Sequence, residues 1–225
     1  MKRSRKQTAR KLVDVCLTVL LLLLMAYPVT GETLHEWLGI GMTAVLILHH
    51  VLNRKWYAAL FRGKYNAFRV VTTLVNMLLL ISIALTAVCG MAMSAHAVPF
   101  LSGLLPVSFA RRFHLAMSFW SFLLMGLHLG LHIPAMAAGL RLSGKNKAAL
   151  WAVCAVIACV GFRLFVKNGI PDYIFFRTSF AFFDGSTPAA AVFAGNLAML
   201  IAFAVPGACC ASLLQTRRRR GGERH

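Results

Sequence analysis

Residues 111–134, RRFHLAMSFWSFLLMGLHLGLHIP, carry His114, His128 and His132 in a stretch otherwise apolar enough to sit in lipid. A second stretch, HEWLGIGMTAVLILHHVLN, does the same with His35, His49 and His50. Polar and ionisable side chains are costly inside a bilayer and mark proton, ion or ligand sites. Two of the spacings are identical: His35 to His49 and His114 to His128 are each 14 residues. Fourteen residues of α-helix rise roughly 21 Å and return to within about 40° of the starting azimuth. Each helix therefore offers two imidazoles on one face, near opposite sides of a membrane. Haem iron accepts such axial pairs, whereas zinc would ask for four ligands at each level and the sequence supplies too few. The pattern predicts two haems, one between His35 and His114 and one between His49 and His128.

The neighbouring residues suit that arrangement. Gly39 follows His35 by one turn, and Ser118 and Ser121 follow His114 on its face, leaving room for flat macrocycles. Arg111 and Arg112 are placed to pair with propionates, with Arg163 a further candidate and Arg54 and Lys55 the counterparts at the other end. Each of these cations is equally natural as a snorkelling surface residue. His50 and His132 fall beside the second pair, but as ligands they would demand rises of roughly 22 and 27 Å from their partners, which do not match. They are candidates for a quinone site, a proton relay or a propionate contact, or plain interfacial polar residues. His96 and His225 have no assigned role.

The elements that must position these residues follow from hydropathy. The chain is 59% apolar and only 13% charged, against about a quarter charged in soluble domains. Six apolar runs are long enough to span: 12–29, 35–52, 70–93, 113–138, 148–166 and 189–214. The expected fold class is all-α, a polytopic membrane bundle of six transmembrane helices. A basic N-terminus (1–11) and a basic tail (215–225) flank one transmembrane domain (12–214), with no room for a second folded domain. The histidine-bearing second and fourth spans are separated by one span and therefore run parallel, which brings equal spacings to equal depths.

A net charge of +18 resembles a nucleic-acid signature until its distribution is read. Nineteen of the 24 Lys and Arg fall in the N-terminus, the second and fourth loops and the C-terminus. Only Arg111, Arg112, Arg163, Lys167 and Arg177 lie near the opposite ends. This alternation is the positive-inside pattern, with both termini cytoplasmic. The partner it implies is the lipid bilayer, anionic lipid included, and no nucleic acid. The first apolar run is long for a signal peptide and AYPVTGETL offers no small-x-small cleavage site, so a retained span is expected. The six cysteines form no paired CxxC motifs and read as small buried hydrophobes.

HEWLG, HHVLNRKWY, FHLAMSFWSFLLMGLHLGLH and FAFFD together resemble the flavinylation-associated cytochromes, bacterial membrane proteins first grouped as a domain of unknown function, over nearly the whole chain. More distantly, the two-helix clamp is similar to that of cytochrome b and the transmembrane ferric reductases. The resemblance implies a multi-pass protein of the bacterial cytoplasmic (inner) membrane, holding two b-type haems on His35, His49, His114 and His128. It also implies electron transfer across that membrane toward extracytosolic proteins carrying covalent flavin. No cytosolic flavin or nicotinamide domain is fused, which departs from full-length ferric reductases and leaves a cytoplasmic or quinol donor open. The expected role is an electron-transfer component rather than a self-contained catalyst.

Rival expectations are a quinone-linked anchor using His50 and His132, a direct ferric reductase, and a haem-free transporter relaying protons through histidines. The segment IPDYIFFRTSFAFFDGSTP, with Asp172, Arg177 and Asp184, is expected on the outer surface as a docking platform, a lid or an aromatic interfacial belt.

Overall fold

The computed structural model describes residues 5–137, 143–181 and 185–222. Among them the fold is helical throughout: α1 Arg5–Met25, α2 Tyr27–Leu52, α3 Lys55–Leu60, α4 Ala67–Met91, α5 Val107–Ala137, α6 Gly144–Lys167, α7 Ile170–Ile174 and α8 Ala189–Gly222. A 3-10 turn, Pro99–Leu101, lies between α4 and α5. Asp184 and His225, named above, lie outside the described residues.

Among the described residues four helices, α4, α5, α6 and α8, are long and apolar enough to cross a membrane. Their outward faces are apolar too. Leu74, Ile81 and Val88 repeat every seventh residue along α4, and Val153, Val156 and Val160 form a stripe on α6. An exposed apolar stripe on a helix whose backbone bonds are all internal is the surface that lipid, not water, solvates. α1 and α2 are as long, but their composition is less apolar. α1 carries Arg10, Lys11 and Asp14, and α2 carries Glu32, Glu36 and three histidines.

The first corner comes earlier than hydropathy predicts. The apolar run extends to Val29, yet α1 stops at Met25 and α2 starts at Tyr27. Pro28 occupies the first turn of α2, where its missing N–H costs nothing. Gly31, at φ 68°, adds a bend inside α2 that a side chain would disfavour. At the other helix starts, Asn66 accepts from Arg69 N–H and Ser143 from Asn146 N–H, satisfying orphan donors of α4 and α6. α3, a short turn of helix in the second loop, was not legible from hydropathy.

α8 is the hub. It packs along α5 and α6 and touches α1 and α4, while α5 also packs along α4. The α5–α8 contact is backbone on backbone. A Cβ at Gly130 would overlap the Ala204 carbonyl, and one at Gly126 would press on Phe203 and the Leu200 carbonyl. Two glycines four residues apart allow this approach, the close packing that joins helices in lipid. At about 100° per residue, the Gly126/Gly130 seam lies opposite His128, which sits between the two in sequence. Docking α5 on α8 therefore turns its histidine face away, toward α4 and α2. α2 packs along α1 and touches α4. It does not pack along α5, so the two histidine helices meet through side chains.

Candidate functional site

α2 and α5 bring His35 and His114 into ring contact at one level and carry His49 and His128 at a second. At the first, the rings of His35 and His114 meet edge to face with centroids 6.0 Å apart and planes at 77°. Two imidazoles bound through Nε2 to opposite sides of one metal, at about 2 Å per bond, would hold their centroids roughly 6 Å apart. His114 Nδ1–H donates to the Thr86 carbonyl of α4 at 2.9 Å. Gly90 makes this possible: a Cβ there would lie 3.0 Å from His114 Cε1. Helical Cβ atoms lean toward the N-terminus, so the residue one turn on normally covers a carbonyl, and glycine uncovers it. On the facing helix, Tyr27 packs edge-on to His35 at 5.1 Å. His35 Nδ1 is buried with no hydrogen-bond partner.

At the second level, each imidazole is held by a side chain. His128 is bonded through Nδ1 to Asn76 Oδ1 of α4 at 2.8 Å. His49 Nδ1–H donates to Asp14 Oδ1 of α1 at 2.9 Å. His49 lies close enough to His128 and His132 to act on both electrostatically. Three of the four imidazoles thus commit Nδ1–H to an acceptor, which fixes the tautomer and leaves the Nε2 lone pair free. That is the second-shell arrangement that prepares a histidine as a metal ligand.

Between the levels, seven residues from each histidine of its own helix, sit Met42 on α2 and Ser121 on α5. Both are buried, and the Ser121 hydroxyl has no hydrogen-bond partner. Ser118 instead bonds the Leu115 carbonyl at 2.9 Å. Gly39 has no atom within 4 Å of where a Cβ would stand, so it leaves open space beside His35's helix. The donor types at both levels, the ring separation at the His35/His114 level and an unpartnered hydroxyl on the histidine face of α5 are compatible with a planar metal macrocycle.

The remaining predicted residues group around these levels. His50 is bonded through Nδ1 to the Tyr57 hydroxyl at 2.7 Å, and burial pushes that phenol up. His132 is exposed and packs edge-on to His128 at 4.8 Å. Arg111 and Arg112 lie at the start of α5, exposed, and turn toward the segment after α7. Arg112 donates to the Phe176 carbonyl at 2.9 Å, and Arg111 lies over the Phe180 ring. With Phe109, Phe113, Phe176 and Phe180 they line an open groove of about 810 Å³. Arg163 is exposed on α6, a helix that packs on α8 rather than on the histidine helices.

The segment after α6 packs on α5 rather than standing apart. Tyr173 stacks on Phe119, Phe176 meets Phe113, and Trp120 Nε1–H donates to the Ile174 carbonyl. Phe176 adopts φ 58°, a left-handed position usually given to glycine, and closes α7 with bonds from its own N–H to Tyr173 and from Arg177 N–H to Asp172.

Sequence reading missed Asp14, Asn76, Thr86, Gly90 and Glu36. Asp14 and Asn76 were visible as the lone carboxylate and lone amide of their apolar runs. The Glu36 carboxylate accepts from Ser94 Oγ and from the N–H groups of Ala95, His96 and Ala97, tying α2 to the loop after α4. Glu32, Glu36 and His96 also bring one potential metal-ligand atom each within 4.8 Å, but Glu36 is already committed to that loop. The six cysteines are free, and Cys89 is buried as a small hydrophobe. No protein-family model, curated protein or solved structure matches this chain.

Proposed function

We propose that the chain is a b-type cytochrome with six transmembrane helices and two haems, carrying electrons across a bacterial cytoplasmic membrane. The observation that carries this reading is the pairing of His35 with His114 at 6.0 Å, repeated one level away by His49 and His128 with Nδ1 anchored on both rings. α1 and α2 complete the six spans: their polar residues face helix neighbours, as Asp14 faces His49 and Glu36 the loop after α4. Lysine and arginine then put both termini and the His49/His128 level on the cytoplasmic side, and the His35/His114 level outside.

His35 and His114 would hold the outer haem, and His49 and His128 the inner one. Haem held by these four histidines would supply one-electron transfer. The chain's own part is orientation. Thr86, Asn76 and Asp14 each fix one imidazole against rotation, and the buried Met42 and Ser121 separate the levels in a layer shielded from solvent. Arg111 and Arg112 bring positive charge to the outer end, suited to propionates or to an acidic partner. In this reading the outer acceptor is an extracytosolic flavin-carrying protein, as the family resemblance implies.

The test is a reduced-minus-oxidised spectrum of the purified protein, with haem counted per chain as the pyridine haemochrome. Two b-type haems per wild-type chain are expected, and one after alanine replacement of His35, His49, His114 or His128. A colourless wild-type protein made with ample haem would overturn the reading.

A quinone-linked version rests on the His50–Tyr57 pair and the exposed His132 at the cytoplasmic end. It predicts haem reduction by a quinol, slowed at least tenfold by His132→Ala; unchanged rates would exclude it.

A further inference from the structure

We infer that Asp14 makes the inner histidine pair the lower-potential of the two, so that electrons run energetically downhill from the cytoplasmic to the outer level. The inference rests on the dihaem reading above and adds to it the residue that orders the two potentials.

The two levels differ in the charge behind their ligands. His49 is backed by a carboxylate at 2.9 Å. His128 is backed by a neutral amide oxygen, His114 by a neutral backbone carbonyl, and His35 Nδ1 by no hydrogen bond. A carboxylate on the far nitrogen draws the Nδ1 proton toward itself and enriches Nε2 in electron density. Such a partner raises ligand basicity and favours the more positive metal state, which lowers a reduction potential.

Other charges near each level must be weighed. At the inner level, Asp14 also acts on His128 and His132. Arg10 and Lys11 both precede Asp14 by about one turn of α1; the Arg10 guanidinium is turned onto the Leu52 carbonyl at 2.6 Å, and Lys11 is exposed. Arg54 and Lys55 are exposed, where solvent and salt screen them. At the outer level, the Glu36 carboxylate adjoins His35, but its charge is spread over one hydroxyl and three backbone N–H groups. Asp14 is itself about half exposed, but it touches His49 directly, so the negative charge in contact with a histidine of the pairs is at the inner level, while the exposed Arg111 and Arg112 add only screened positive charge at the outer end. Asp14 acts through His49 as a tuning residue, not as a ligand.

The experiment is a spectroelectrochemical redox titration of the purified full-length protein in detergent, dithionite against ferricyanide with mediators. His114→Ala and His128→Ala assign the two waves to the outer and inner levels. The low-potential wave should vanish in His128→Ala. Asp14→Asn should raise that wave by about 60 mV, a tenfold change in the one-electron equilibrium, and leave the high wave in place. Asp14→Glu should restore it.

If Asp14→Asn sheds the inner haem, Asn76→Asp tests the same principle from the other ligand, and its added carboxylate should lower the low wave. Two retained haems with an unmoved low wave, or a low wave assigned to His114, would overturn the inference and leave the dihaem reading standing. A colourless wild-type protein would remove both.

Discussion

The His35/His114 and His49/His128 levels are equals in sequence and unequal in the fold. Both rest on one histidine from α2 and one from α5, 14 residues apart on each helix. The outer pair is built on backbone: His114 leans on a carbonyl uncovered by Gly90, and the rings meet edge to face at 6.0 Å. The inner pair is built on side chains, Asp14 and Asn76, with a second imidazole beside each ligand. A backbone acceptor keeps its place when residues change, and it carries no net charge. A side-chain acceptor can be exchanged for one of different charge. In the dihaem reading, the His35/His114 level would thereby be fixed by backbone, and the His49/His128 level is where a residue change can alter the charge behind a ligand.

The largest effect should come from a change that spares neither level. In Gly130→Val the new side chain meets the Ala204 backbone of α8, which has no rotamer to give. Overpacking a close helix contact costs roughly 3 kcal/mol at its upper end, and here it also rotates α5 and both of its histidines. Haem at the two levels should be lost together, read as haem per chain and as a lowered unfolding midpoint in detergent. Loss from one level alone would mean that α5 is positioned at that level by something other than the glycine seam.

Gly90→Val should separate the levels. Its Cβ stands 3.0 Å from the His114 ring, which must move off the Thr86 carbonyl. The outer haem is expected to go and the inner one to stay, giving one haem per chain with the low-potential wave intact. The opposite pattern would break the assignment of Thr86 and Gly90 to the outer ligand.

Asn76→Leu makes the complementary, smaller cut. Losing an outer-shell partner commonly weakens a metal site 10–100-fold without removing the ligand itself. The inner haem should be retained on purification but shed to apomyoglobin faster by that factor, while the outer rate holds. Equal rates at both levels would mean that the Asn76 bond to His128 does not orient it.

The contrast between the levels explains what was legible in the sequence. Helix periodicity fixes azimuth and rise within one helix, so the 14-residue spacings were enough to pair His35 with His114 by depth. The four most apolar helices were equally plain. α1 and α2 were read as spans from apolar runs, but the histidines, Glu36 and Asp14 that make them useful also dilute their hydropathy. Partners across helices were invisible, because a lone Asp14 after a basic N-terminus resembles a surface residue until α2 is packed beside it. Gly90 and Gly130 gain meaning only from His114 and Ala204, which meet them through tertiary packing. The α1–α2 corner was misplaced because Met25, Ala26 and Tyr27 continue the apolar run, and Pro28 at a helix start leaves no mark on hydropathy.

The smallest expected effect bears on which imidazole of the adjacent pair is the inner ligand. His50, like His49, has its Nδ1 engaged, here with the Tyr57 hydroxyl at 2.7 Å, so anchoring alone does not distinguish them. Azimuth does: at about 100° per residue His49 and His50 point roughly 100° apart on α2. His49 is also the one close enough to act electrostatically on His128 and His132. Tyr57→Phe removes a hydrogen bond on the loop side of His50, a net change of about 1 kcal/mol or less. Both haems and both redox waves should then match wild type. Loss of the inner haem in Tyr57→Phe, with Asp14→Asn silent, would move the axial role to His50. It would also leave Asp14 and His49 as a charge pair beside the site rather than part of it.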